Sequence, residues 1–152
     1  MMALTTFVSQ NRGAKEYERA RKGAHFGLVC SVGLAETIGL LIALFATPLM
    51  RLFVDDPQVI QYGVERAHYA TILFFLLAYS HGVSAVLRGV GKSVVPMVVM
   101  LVCWCLVRVT LLTMLNMLFH NILFVYLIYP FTWSLSSITF FIYYHRVDWL
   151  HA

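Results

Sequence analysis

The residues of this chain that could do chemistry are few. Gly89-Val90-Gly91-Lys92-Ser93 ends like a nucleotide-binding loop, in which successive backbone N–H groups curl around phosphates. Such a loop needs a further glycine five positions before Gly-Lys-Ser, and Val86 stands there. Glu36 is the one acid inside a long uncharged run from Gly23 to Met50. A carboxylate removed from water binds protons or cations strongly, so one reading makes Glu36 an ion-linked group. The other, more common for such residues, is an interior acid that locks helices together. His81 can change charge near neutral pH or bridge two helices by a hydrogen bond. Tyr79 and Tyr69 can line a cleft and stack on a cationic ligand, or can simply pack. Arg108 interrupts another apolar run, where a guanidinium must reach the surface or find a partner. Its expected role is structural, with Glu36 as a candidate partner.

Metal and enzyme chemistry have little to stand on. Cys103 and Cys105 are two residues apart, hence on different faces of a helix, and Cys30 is remote from both. All three read as buried, inert thiols. The apolar runs contain no nucleophile elbow, no paired carboxylates and no cluster of histidines with acids.

The elements that must position these residues follow from composition. Of 152 residues, 61% are hydrophobic and 12% charged, and the mean hydropathy is +0.79. A soluble domain has about 45–50% apolar and about 25% charged residues, so this is a membrane protein. The excess of 11 basic over 7 acidic residues then speaks of loop placement rather than of nucleic acid. A bilayer core about 30 Å thick needs roughly 20 apolar helical residues. Four segments qualify, at about 24–50, 67–87, 93–118 and 122–145, giving an all-α, polytopic transmembrane bundle in contact with the lipid bilayer. Asn116, His120 and Asn121 mark a turn between the last two. Asp56 and Pro57 have the pattern of an N-cap followed by a first helical proline. Pro130 should kink the fourth span unless neighbours satisfy the carbonyl it frees. Tyr143, Tyr144 and Trp149 form an interfacial belt, and Glu65 and Arg66 are expected at the outer headgroups.

Met1 to Val8 is apolar but, at about 1.5 Å per residue, too short to cross. It reads as the last turns of a helix whose beginning lies outside this chain, closed by Gly13, so the chain is expected to be a fragment. Eight of the eleven Lys and Arg residues fall before the first span, between the second and third, or after the fourth. The positive-inside rule puts those segments, both termini and the cytoplasmic loop 10–23 among them, in the cytoplasm of a multi-pass cell-membrane protein. The Gly-Lys-Ser stretch thereby becomes an interhelical turn, with Arg88 and Lys92 anchoring it at the headgroups.

Three segments, LTTFVSQNRGAKEYERARKG at 4–23, LFVDDPQVIQYG at 52–63 and VLRGVGKSVVPM at 86–97, resemble in order and spacing the multidrug and toxic compound extrusion (MATE) family. The resemblance covers essentially the whole chain, placing it from the end of the eighth helix through the twelfth of a two-bundle transporter. It implies efflux of organic cations in exchange for H+ or Na+, without other cofactors, and a site shared with the preceding helices. The related lipid-linked oligosaccharide flippases share this architecture. A small accessory membrane protein that binds a larger partner is the alternative from another class. The family's best-known carboxylates lie on the first, seventh and tenth helices. The segment matching the tenth, FFLLAYSHGVSAVLRG, has no acid.

Overall fold

The computed structural model describes residues 1–119 and 122–147, and among them every regular element is helical. The order is α1 (Met2–Gly13), α2 (Tyr17–Leu44), α3 (Ala46–Arg51), α4 (Pro57–Thr71), α5 (Phe74–Gly89), α6 (Val94–Met100), a π-helical segment (Leu101–Val107), α7 (Arg108–Phe119) and α8 (Ile122–Arg146). Three helical stretches are long and apolar enough to cross a membrane, or four if α4 and α5, bent by 57° at their junction, form one broken span. His120 and Asn121 of the expected turn, and Trp149 of the expected belt, lie outside the described residues.

The exposed surface is that of a lipid-facing bundle. Phe26 (71% exposed), Leu34 (63%) and Leu44 (76%) project from α2, and Val94, Met97 and Leu101 from the next long helix. The packed interior instead uses small and medium side chains: Val8, Ala20, Ala24, Leu28, Val83, Val86 and Leu87 close around Phe140. Small residues let helix backbones approach where there is no water to drive association. Cys103 is buried as the sequence suggests, but Cys30 and Cys105 are exposed on this apolar surface.

Helix ends follow local chemistry. Asp56 accepts a hydrogen bond from the Gln58 N–H at 2.8 Å, with Pro57 at the first helical position. At the end of α5 the Gly91 N–H donates to the Arg88 carbonyl and the Lys92 N–H to the Leu87 carbonyl, while Gly91 adopts φ +82°. This is a Schellman closure, and its left-handed position calls for glycine. The same bond pattern closes α1, from Lys15 to Arg12 and from Glu16 to Asn11. There the left-handed residue is Lys15, at φ 61°, and the expected stop, Gly13, is the last helical residue. α1 runs to Gly13 and α2 begins at Tyr17, so only residues 14–16 of the stretch read as loop 10–23 lie outside a helix.

The two glycine-bearing motifs meet. Arg12 Nη1 donates to the Val90 carbonyl at 2.6 Å, and Thr5 Oγ1 to the Ala85 carbonyl at 3.0 Å. A Cβ on Gly89 would stand 2.8 Å from the Thr5 carbonyl oxygen. The Gly-Val-Gly-Lys-Ser stretch is thus a capped turn docked on α1.

Candidate functional site

The second long apolar run, 67–87, is broken where α4 ends and α5 begins, at Ile72 and Leu73. A helix started inside a membrane exposes N–H groups that no preceding turn can satisfy. Leu73, the N-cap of α5, offers no side-chain acceptor. Glu36 supplies one from α2: its Oε2 accepts from the Phe75 N–H at 3.1 Å. The positive end of the helix dipole favours a carboxylate in this position. Gly39, one turn further along α2, is buried, and a Cβ there would lie 2.8 Å from the Phe74 ring and 3.1 Å from Thr71 Cγ2. The break therefore seats directly against α2.

Arg108 finds other partners than Glu36. Its Nη2 donates to Thr132 Oγ1 at 2.7 Å and its Nε to the same oxygen at 3.2 Å. Its guanidinium also lies 4.7 Å from the Tyr129 ring centre and 5.2 Å from that of Trp104. The Glu36 pairing expected for Arg108 gives way to these contacts, because a fork of donors stacks and bonds at once where aromatics and a hydroxyl converge. The π-helical segment ends immediately before Arg108. Trp104 and Arg108, four residues apart, share one cavity wall.

That wall belongs to a cavity of about 610 Å3 between α2, α4, α5, the π-helical segment and α8. Arg66 enters from α4, its guanidinium 5.0 Å from the Tyr129 ring centre. It lines this cavity while remaining exposed. His81 lines the cavity too and meets Trp104 edge to face, ring centres 5.2 Å apart. Tyr79, two residues away on α5, lines a different cavity of about 490 Å3 with Phe141 and Tyr144. The structure thus separates His81 from Tyr79. Tyr69 stacks on Tyr126, ring centres 6.2 Å apart. At the Schellman turn Arg88 is exposed and Lys92 partly so.

Small hydroxyl side chains, unremarkable one by one in the sequence, complete the arrangement. Ser80 Oγ lies 3.1 Å from Ser136 Oγ and 2.8 Å from Ser137 Oγ, and Trp104 Nε1 donates to Ser136 Oγ at 3.3 Å. This buried hydroxyl cluster ties α5 and the π-helical segment to α8. α8 runs unbroken through Pro130, and Ser134 Oγ donates to the Pro130 carbonyl. The spacing of Tyr126, Tyr129 and Trp133, three and then four residues apart, was the visible sign that α8 turns one aromatic face to a partner.

The MatE family profile matches residues 1–114. The chain is 31% identical over 98 residues to a probable multidrug resistance protein NorM of Thermotoga maritima, which covers 64% of this chain and 21% of that protein. It is 29% identical over 97 residues to the protein of the same name from Chromobacterium violaceum, covering 64% and 21% respectively. A third such protein, from Aromatoleum aromaticum, is 30% identical over 103 residues, 68% of this chain and 22% of its own length. The matched part of the chain spans about a fifth of the length of these relatives. The matched region holds α1 to α5 and the glycine-bearing motifs that dock on one another, and on that ground this multi-pass membrane chain belongs to the MatE family.

Proposed function

We propose that the chain forms the C-terminal helices of a multidrug efflux antiporter of the cell membrane, exporting amphipathic organic cations in exchange for H+ or Na+. Both ends of the chain and the Arg88–Lys92 turn face the cytoplasm in this reading, supported by the charge distribution over the loops. The multidrug resistance function named for the NorM relatives supports the efflux activity.

One observation carries the reading further, the bent helix pair α4–α5, taken here as one broken span, whose second half is capped by an acid from a neighbouring helix. In secondary transporters, substrate and coupling-ion sites form at discontinuous helices, whose free ends present charge in the membrane interior. Glu36 is then the group whose occupancy changes. Ionised, it holds the Phe75 N–H and the bend; with a bound proton or cation it bonds that donor less strongly, and the two half-helices can re-angle. His81, on α5, travels with that half. Efflux of a fluorescent organic cation by the complete transporter, with pH and sodium gradients varied separately, tests the proposal. A cation gradient should drive efflux and Glu36→Gln should uncouple it. Efflux by the Glu36→Gln protein with unchanged dependence on both gradients would remove Glu36 from the coupling step.

A further inference from the structure

We infer that the cavity between α4, α5, the π-helical segment and α8 is a binding site for an aromatic organic anion, a planar carboxylate or sulfonate. This goes beyond the export of cations proposed above.

Three features of the cavity point to that ligand. Its charge is one-sided: Arg66 and Arg108 both line it, and no Asp or Glu is among its described lining residues. Glu36 is engaged with the Phe75 N–H, and Glu65, beside Arg66 on α4, accepts from Gln61 Nε2 at 3.1 Å. Among the described residues the one ion pair, Lys22 with Glu18 at 3.5 Å, is exposed and on α2. A charged group inside a membrane protein is ordinarily paired, and the guanidiniums of part-buried Arg108 and exposed Arg66, both lining this cavity, supply the donors that a carboxylate or sulfonate accepts.

The walls, second, are flat and aromatic. Trp104, Tyr126, Tyr129 and Trp133 line the cavity with the two arginines. Arg66 and Arg108 both stack on Tyr129, at 5.0 and 4.7 Å, which holds each head in place before a ligand arrives. Thr132 fixes Arg108 further, through two of its five donors, leaving the others for a ligand. The volume, third, of about 610 Å3 lies within the roughly 300–1,000 Å3 that small-molecule sites occupy. An organic cation placed here would meet two positive heads and no carboxylate among the described lining residues.

The test uses the full-length protein in non-ionic detergent and three probes with one fluorophore: dansyl sulfonate, neutral dansylamide and cationic dansylcadaverine. Energy transfer from tryptophan, two of which line the cavity, reads their binding. The sulfonate should bind roughly tenfold or more tighter than the amide, and the cation weakest. Arg66→Gln and Arg108→Gln should each reduce sulfonate binding roughly tenfold while leaving the amide unchanged, and Arg108→Lys should restore most of the loss. If Arg108→Gln does not fold, the Arg66→Gln comparison decides alone, since Arg66 is exposed. Equal binding of the three probes overturns the inference, as does a sulfonate preference that survives Arg66→Gln. No sulfonate binding at all also overturns it, the arginines then being answered by an acid elsewhere in the protein. Each of these results leaves cation efflux, measured separately, untouched.

Discussion

Adding one methyl group at Gly89 should loosen α1 from α5. The new carbon would lie 2.8 Å from the Thr5 carbonyl oxygen, 3.0 Å from Val8 Cβ and 3.1 Å from Val8 Cγ1. A carbon–oxygen contact is comfortable at about 3.3 Å or more, so α1 must withdraw by roughly half an ångström. No side-chain rotation relieves this, because the nearest atom is backbone and the next is a Cβ. The same withdrawal stretches the Thr5–Ala85 hydrogen bond from 3.0 Å towards the limit of such bonds. Overpacking costs about 1–3 kcal/mol, offset by less than about 1 kcal/mol from the better helix propensity of alanine. The net is a loss of about 1–2 kcal/mol, or about 2–8 °C in Tm for a chain of this size. Gly13→Ala is the matched control: Gly13 likewise ends its helix, but a Cβ there has nothing within 4 Å. Thermal unfolding of the purified protein in detergent should show Gly89→Ala lowered and Gly13→Ala unchanged or raised. Equal Tm values for the two variants would refute the close-approach argument.

Lys15→Gly should raise Tm, since a lysine at φ 61° carries about 1 kcal/mol of strain that glycine does not, less its own entropic cost. Glu36→Ala should lower stability by about 1–3 kcal/mol by orphaning the Phe75 N–H, and Glu36→Gln by less, because an amide oxygen still accepts; denaturant titration of the two variants measures the difference. Ser80→Ala removes the hydroxyl shared with Ser136 and Ser137 and should cost about 1–2 kcal/mol in the same titration. Ser84→Ala should be neutral or stabilising, because Ser84 Oγ is buried without a hydrogen-bond partner among the described residues.

The elements of this fold were legible where chemistry is local. Apolar run length marked the helices, Asp56-Pro57 marked a helix start, and Gly91 marked a turn, because each depends on a few neighbouring residues. What escaped was set by contacts distant in sequence. The break at Ile72 and Leu73 has no Pro or Gly to announce it, and it is satisfied by an acid 39 residues earlier. Arg108 and Glu36 were natural partners by charge and depth alone. The choice of Thr132 and Tyr129 instead depends on how α8 is rotated against the π-helical segment, which no run of apolar residues encodes. Lys15 in a left-handed conformation was hidden for a simpler reason: Gly13 stood two residues away and suits that conformation better.

In the proposed transporter α4 and α5 together form one broken span that crosses the bilayer, with Glu36 at its break and the arginine cavity beside it. Single cysteines placed at Asp55 and Lys92, after replacement of Cys30, Cys103 and Cys105 by alanine, bracket that span in the full-length protein. In intact cells a membrane-impermeant maleimide should label the cysteine at position 55 and reach the one at 92 only after permeabilisation. Labelling of both positions from the same side would make α4–α5 a re-entrant hairpin and contradict the account.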